Sequence, residues 1–178
     1  MQCKSTSQKY GALPIALHWI SALAILIMLA SGLAAVNTPD AAAKLGILRV
    51  HFTTGVCVLI LTVLRIVWWL FFDRKPEPKA GVPAWQSALA RFVHYGMYVV
   101  IVVMLASGIA LAILPGLVPI LFGAPGTLPN FQMLPPFIAH GLGAWALMGL
   151  IVLHTLAALY HQFIRRDRLL ARMGVGAS

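Results

Sequence analysis

The sequence predicts an all-α integral membrane protein, a bundle of four transmembrane helices, and three observations carry that prediction. Of 178 residues, 61% are hydrophobic and only 10% charged, too few polar groups to cover a soluble domain of this length. Four apolar stretches, at approximately 12–36, 51–72, 92–114 and 137–164, are each long enough to cross hydrocarbon about 30 Å thick. The 13 basic residues are also divided unevenly: all except Lys44 and Arg49 fall on the side that holds both termini, with Arg65 able to snorkel there.

The first stretch follows Lys4 and Lys9 and closes at Asn37-Thr38-Pro39-Asp40, a turn signal that opens a short external loop. Ala30-Ser31-Gly32 raises the alternative of a cleaved signal peptide. About 25 apolar residues is long for an h-region, so the segment is expected to remain as a span. His51 opens the second stretch, and Trp68, Trp69, Phe71 and Phe72 close it as an aromatic belt at the membrane interface. Residues 73–87, with Pro76, Pro78, Gly81 and Pro83, read as a loop carrying Arg74, Lys75 and Lys79. His94 begins the third stretch. Residues 115–136 hold six prolines, three glycines and no charge, and are expected to form an ordered or membrane-hugging cap. The fourth stretch ends at Arg165, Arg166, Arg168 and Arg172.

Residues 1–178 are therefore expected to form one membrane domain. Positive-inside bias places both termini in the cytoplasm. The net charge of +9 is a topology signal with contacts to lipid head groups, and it implies no nucleic-acid partner. Cys3 and Cys57 lie at different depths and are too few for a disulfide framework or metal cluster. No nucleotide fingerprint, HExxH motif or Ser-His-Asp arrangement appears, and no internal repeat is expected beyond paired histidines.

The histidines carry the chemistry. His140 and His154 are fourteen residues apart, which is within ~40° of a whole number of helical turns and a rise of about 21 Å. Both imidazoles share one helix face, one near each side of the membrane, which suits two stacked haem groups. Ionisable side chains at such depths are rare and usually functional. Depth pairs His51 with His140, and offers His18, His94 and His161 as partners for His154. A flat macrocycle also needs a small residue one turn beyond its ligand. His18, His51, His140 and His154 have Ala22, Gly55, Ala144 and Ala158 there, whereas His94 has Tyr98 and His161 has Arg165. The four selected histidines are the number that two six-coordinate b haems require. His94 and His161 are left as structural residues, quinone contacts or proton carriers. Ser31 with Gly32, and Ser107 with Gly108, allow close helix approach or make room for a haem. No methionine stands out as an axial ligand.

Leu17-His18-Trp19, His51 followed by Gly55, His94, His140, Leu153-His154, His161 and the tail Arg166-Asp167-Arg168-Leu169-Leu170 occur in an order that resembles the bacterial cytochrome b561 family. The resemblance runs from about Lys9 to Met173. It implies a cytoplasmic-side haem b held by His18 and His154, and a periplasmic-side haem b held by His51 and His140. It also implies electron transfer from superoxide to ubiquinone, as in the di-haem oxidases of that family. On that reading Lys44 and Arg49, the external cations, steer superoxide toward the outer haem, and His161 assists quinone protonation. Other members are cytochrome subunits that relay electrons between a partner dehydrogenase and quinone, and that role is the alternative. A haem-free transporter or structural bundle is the third class. The neutral, proline-rich second external loop departs from the family pattern.

Overall fold

Helix boundaries in the computed structural model, which describes residues 2–77 and 81–176, follow local capping chemistry rather than hydropathy alone. The long helices are α1 (Ala12–Asn37), α2 (Ala41–Val67) and α3 (Ala84–Ile113); after a short α4 (Leu117–Leu121) comes α5 (Pro136–Leu159). π-helical turns extend α2 over Trp68–Phe72 and α5 over Tyr160–Ile164. With those extensions, four helices are long and apolar enough to cross a membrane. No strand occurs among the described residues.

Two helices start well before the apolar windows do. Asp40 accepts a hydrogen bond from Ala43 N at 2.8 Å through its carboxylate, while its carbonyl accepts from Lys44 N at 2.9 Å. That N-cap, worth about 1 kcal/mol, precedes three alanines and starts α2 at Ala41. Pro83 performs the same service for α3, its carbonyl accepting from Gln86 and Ser87 at 3.1 and 3.2 Å. His51 and His94 therefore do not open their helices, as the hydropathy reading had them. Lys44 and Arg49 belong to α2 rather than to a loop, and residues 84–87 belong to α3. Lys79 and Pro78, assigned to the intervening loop from sequence, lie outside the described residues.

The chain divides into two compact units, and each long helix contributes a segment to both. The first comprises Met1–Ser21, Leu61–Met97 and Gly149–Ser178; the second comprises Ala22–Ile60 and Tyr98–Met148. Lys44 and Arg49 are the only basic residues in the second unit. There the proline-rich segment folds into α4 and a 3-10 turn at Phe131–Met133, and it seals itself by burying Leu117 and Leu121 completely or nearly so. Three hydroxyls along the spans return their protons to the helix backbone: Ser31 to Ile27 O at 2.7 Å, Thr53 to Arg49 O at 2.9 Å and Ser107 to Val103 O at 2.7 Å. Such internal satisfaction is obligatory where no water is present.

In the first unit one carboxylate ties the N-terminal segment down. Asp73 accepts from Ser5 N at 3.0 Å, Ser5 Oγ at 2.8 Å, Trp68 Nε1 at 3.1 Å and Arg74 N at 2.8 Å. Glu77 N donates to Ser7 O at 3.0 Å, and Arg172 reaches both Gln8 O and Glu77 O at 2.8 Å. Trp19 Nε1 holds Met173 O at 3.1 Å, so the tail joins the same strap. Burial pushes the Asp73 carboxyl up, but the hydrogen bonds from Ser5, Arg74 and Trp68 outweigh it and hold the group below the ordinary carboxylate value. A folded value below the unfolded one means the contribution is complete above that range and is lost as pH falls through the folded value. Asp73→Asn should accelerate amide hydrogen exchange at Ser5 and Glu77 at neutral pH. The wild type should loosen in the same place once pH drops below about 4, where aspartates protonate. Exchange that is unchanged in the variant would mean that the strap is held by Arg172 and Trp19 instead.

Candidate functional site

The second unit contains a duplicated helix surface. Met28-Leu29-Ala30-Ser31-Gly32 on α1 recurs residue for residue as Met104-Leu105-Ala106-Ser107-Gly108 on α3. No repeat was expected from the sequence reading beyond the histidines, so this is a correction. Both copies treat a neighbouring histidine alike. Ser31 Oγ lies 3.0 Å from His51 Nδ1, and Ser107 Oγ lies 3.0 Å from His140 Nδ1. A Cβ on Gly32 would come within 3.1 Å of His51 Cε1, and one on Gly108 within 3.2 Å of His140 Cε1. Both distances are tighter than ordinary van der Waals contact, so glycine lets each imidazole edge lie close to the facing helix.

The serine geometry decides the tautomer. Each hydroxyl has one proton, and it is already committed: Ser31 donates to Ile27 O and Ser107 to Val103 O, both at 2.7 Å. The oxygen therefore accepts from the ring, and Nδ1 carries the imidazole proton. The Met28 and Met104 carbonyls offer second acceptors to the same rings. Nε2 is left with a free lone pair in both histidines. This is the arrangement found around metal-bound imidazoles, whose other nitrogen is held by an acceptor.

The two rings approach each other from α2 and α5, with centroids 6.1 Å apart. Two nitrogens each roughly 2 Å from one metal place their ring centres at about this separation. Met28 lies over Gly55, where a Cβ would be 3.2 Å from Met28 Cε, and Met104 lies over Gly143, where a Cβ would be 2.6 Å from Met104 Sδ. Flexible thioether ends thus line the sides of the pair, and they yield more easily than branched side chains do. The small residue facing Met104 is Gly143, one position before the Ala144 singled out by helical spacing.

The first unit holds the other four imidazoles. His18 on α1 and His154 on α5 have centroids 6.3 Å apart, close to the 6.1 Å of the His51–His140 pair. His94 on α3 is closer to His154, at 5.2 Å, yet is itself exposed. That spacing is too short for a metal aligned between both rings, which favours His18 as the mate of His154. Arg65 Nη2 lies 3.3 Å from His18 Nδ1. A guanidinium can only donate, so His18 departs from the serine-held pattern and its Nδ1 is the accepting nitrogen. Ser21, one turn beyond His18, buries Oγ without a hydrogen-bond partner among the described residues, a sign of a polar group still to be accommodated. His161 is held by a different partner: its Nδ1 meets Asp167 Oδ2 at 2.5 Å.

The proposed steering residues are placed unequally. Arg49 Nε donates to Leu121 O at 2.6 Å, fastening α2 to α4. Lys44 is half-buried in the first turn of α2, and its side chain makes no ion pair among the described residues. Sequence reasoning missed the hydrogen-bonding role of Ser31 and Ser107, although the repeated pentapeptide was a usable signal. It also missed Arg65 as a neighbour of His18 and Asp167 as the partner of His161.

Apolar helices that carry facing imidazole pairs, with Nδ1 held and Nε2 free in His51 and His140, have the donor set of a membrane b-type cytochrome, and the residues present fit haem. The chain belongs to the prokaryotic cytochrome b561 family, whose model matches residues 9–176. That family binds b-type haem and serves membrane electron transfer. The chain is 28% identical to cytochrome b561 homolog 2 of Escherichia coli K12, over 97% of this chain and 95% of that one. It is 29% identical to cytochrome b561 homolog 1 of the same organism, over 93% and 96%. It is also 29% identical to the probable superoxide oxidase CybB of Yersinia pestis, again over 93% and 96%.

Replacing Ser31 or Ser107 by Ala should weaken haem retention, and the double variant should weaken it most. The loss of such an outer hydrogen bond costs roughly 10–100-fold in affinity, and the carbonyl acceptors keep each single variant near the lower end. Haem titration into the apoprotein measures this; a double variant that binds as tightly as the wild type would remove the serines from the site.

Proposed function

We propose that the chain is a di-haem electron-transfer enzyme that takes electrons from superoxide on the external side of a bacterial inner membrane and delivers them to ubiquinone. The observation that carries the reading is the presence of one imidazole pair in each unit, at matching ring separations of 6.1 and 6.3 Å. His51 and His140 hold the external haem b, and His18 and His154 hold the cytoplasmic one. Haem supplies one-electron redox chemistry when bound. The protein supplies the rest. Ser31 and Ser107 keep the outer ligands in the tautomer that presents Nε2, and the apolar spans exclude water from both pairs. His94, exposed beside His154, and His161 are contacts for the quinone. Both termini face the cytoplasm, in keeping with the basic residues gathered in the first unit.

The choice of superoxide rests on two supports. One relative of similar length is named a probable superoxide oxidase. The second unit, which holds the His51–His140 pair, has Lys44 and Arg49 as its only basic residues, and a local positive field raises the encounter rate of a small anion. Arg49 keeps its charge while fixed to the Leu121 carbonyl, which makes it a stationary attractor. Lys44, about one and a half turns earlier on the same helix, adds a second charge.

Pulsed superoxide with absorbance detection of haem reduction tests the assignment. Lys44→Gln with Arg49→Gln should lower the second-order rate without changing the haem spectrum. The difference from wild type should narrow as ionic strength rises, because screening acts over about 10 Å at 0.1 M salt. Salt-insensitive reduction that survives the double substitution would remove the steering role. Haem that superoxide does not reduce at all would remove the oxidase reading and favour a relay between a partner dehydrogenase and quinone.

A further inference from the structure

The stretch 160–168 gathers more unusual features than any other part of the described chain. Tyr160–Ile164 is a π-helical turn, a distortion that is often found at functional sites. Arg166 and Arg168 both adopt left-handed backbone, with φ of 53° and 55°, the only non-glycine residues to do so among those described. Two such residues flanking a third are costly for side chains with a Cβ, and strain of this kind persists only where the surroundings enforce it. Their joint effect is to turn Asp167 inward. Its side chain is only 14% exposed, and its backbone N donates to His161 O at 3.1 Å.

Within that turn Asp167 Oδ2 meets His161 Nδ1 at 2.5 Å, and Arg165 Nε stands 4.0 Å from the same oxygen. A carboxylate accepts, so Nδ1 carries the ring proton and Nε2 is the nitrogen free for chemistry. Arg165 is itself engaged with Gln86 Oε1 and Gly81 O, at 3.3 and 3.4 Å, and Tyr160 packs edge-on against the imidazole at 5.8 Å. Three buried side-chain atoms lack any partner among the described residues, and two of them are here: Asp167 Oδ1 and Gln162 Oε1. Buried acceptors in this condition call for donors that the protein does not provide.

We propose that Asp167 is a positioning residue for His161, and that the two form the proton-delivery dyad for quinone reduction. The inference rests on ubiquinone being the electron acceptor. Quinone becomes quinol by taking up two electrons, which arrive one at a time through the cytochrome, and two protons. His161 gives each proton from Nε2 of its doubly protonated ring: the N–H bond breaks, an O–H bond forms on a quinone oxygen, and the neutral Nδ1–H tautomer remains, held by Asp167. Solvent water returns a proton to Nε2 before the next transfer. Asp167 accepts from Nδ1 throughout and neither gains nor loses a proton. It prevents the ring from rotating or from settling in the opposite tautomer, the role a carboxylate fills in other histidine pairs.

Asp167→Asn preserves shape but lets its amide donate to Nδ1, which drives the ring proton to Nε2. In protein labelled with nitrogen-15 histidine, the wild-type His161 signal should be that of the Nδ1–H form when neutral, and the variant should move to the Nε2–H form. With the haem reduced beforehand and decylubiquinone as acceptor, haem reoxidation should slow about tenfold or more in Asp167→Asn and about a hundredfold in His161→Ala, typical of a lost acid–base group. The slowing should come with a larger solvent deuterium isotope effect and unchanged haem spectra. Asp167→Glu should recover most of the rate, and added imidazole should partly rescue His161→Ala. Should Asp167→Asn lose haem, the imidazole rescue still decides, since a structural histidine gains nothing from imidazole in solution. Wild-type rate and isotope effect in Asp167→Asn, or no imidazole rescue, would overturn the dyad alone. A wild-type protein that fails to pass electrons to decylubiquinone would overturn the acceptor assignment, and the dyad with it.

Discussion

An imidazole inside an apolar span has two nitrogens to satisfy and almost nothing to satisfy them with, and much of this molecule is arranged around that requirement. In the second unit the solution is a serine whose own proton is already given to its helix. Ser31 and Ser107 can then only accept, and their histidines can only present Nε2 to one another. Gly32 and Gly108 follow from the same need, because a side chain at either position would push the ring away from its serine. Interhelical hydrogen bonds in membranes contribute roughly 0.6–2 kcal/mol each, too little to hold a bundle but enough to choose one ring orientation over another.

The first unit meets the requirement differently. Its rings have charged neighbours: Arg65 stands beside His18, and Asp167 beside His161. The N-terminal strap, the loop after Trp68 and the tail are laced together there by Asp73, Arg172 and Trp19. Polar and charged groups thus gather in the first unit, whereas the second has the duplicated serines and only two cationic side chains, Lys44 and Arg49.

Much of this was legible in the sequence. Four spans follow from hydropathy, and the family assignment agrees with the resemblance of the histidine motifs. The helix starts were less legible, because Asp40 and Pro83 act through single hydrogen-bonded turns that an averaged window cannot register. The repeated pentapeptide was plain in the chain, but its serines read as small residues for close packing. Their function depends on where one hydroxyl proton points. His94 was set aside because Tyr98 follows it by one turn, yet its ring lies nearer His154 than that of His18 does. Asp167 could not have been paired with His161 by helical spacing, since the pairing depends on two arginines in left-handed backbone.

The central claim, that each imidazole pair holds one iron between its two rings, is tested most directly by electron paramagnetic resonance of the oxidised, haem-loaded protein. Two low-spin ferric signals of bis-imidazole character, integrating to two haems per chain, are the predicted result. A high-spin signal, or a single haem per chain, would contradict the account.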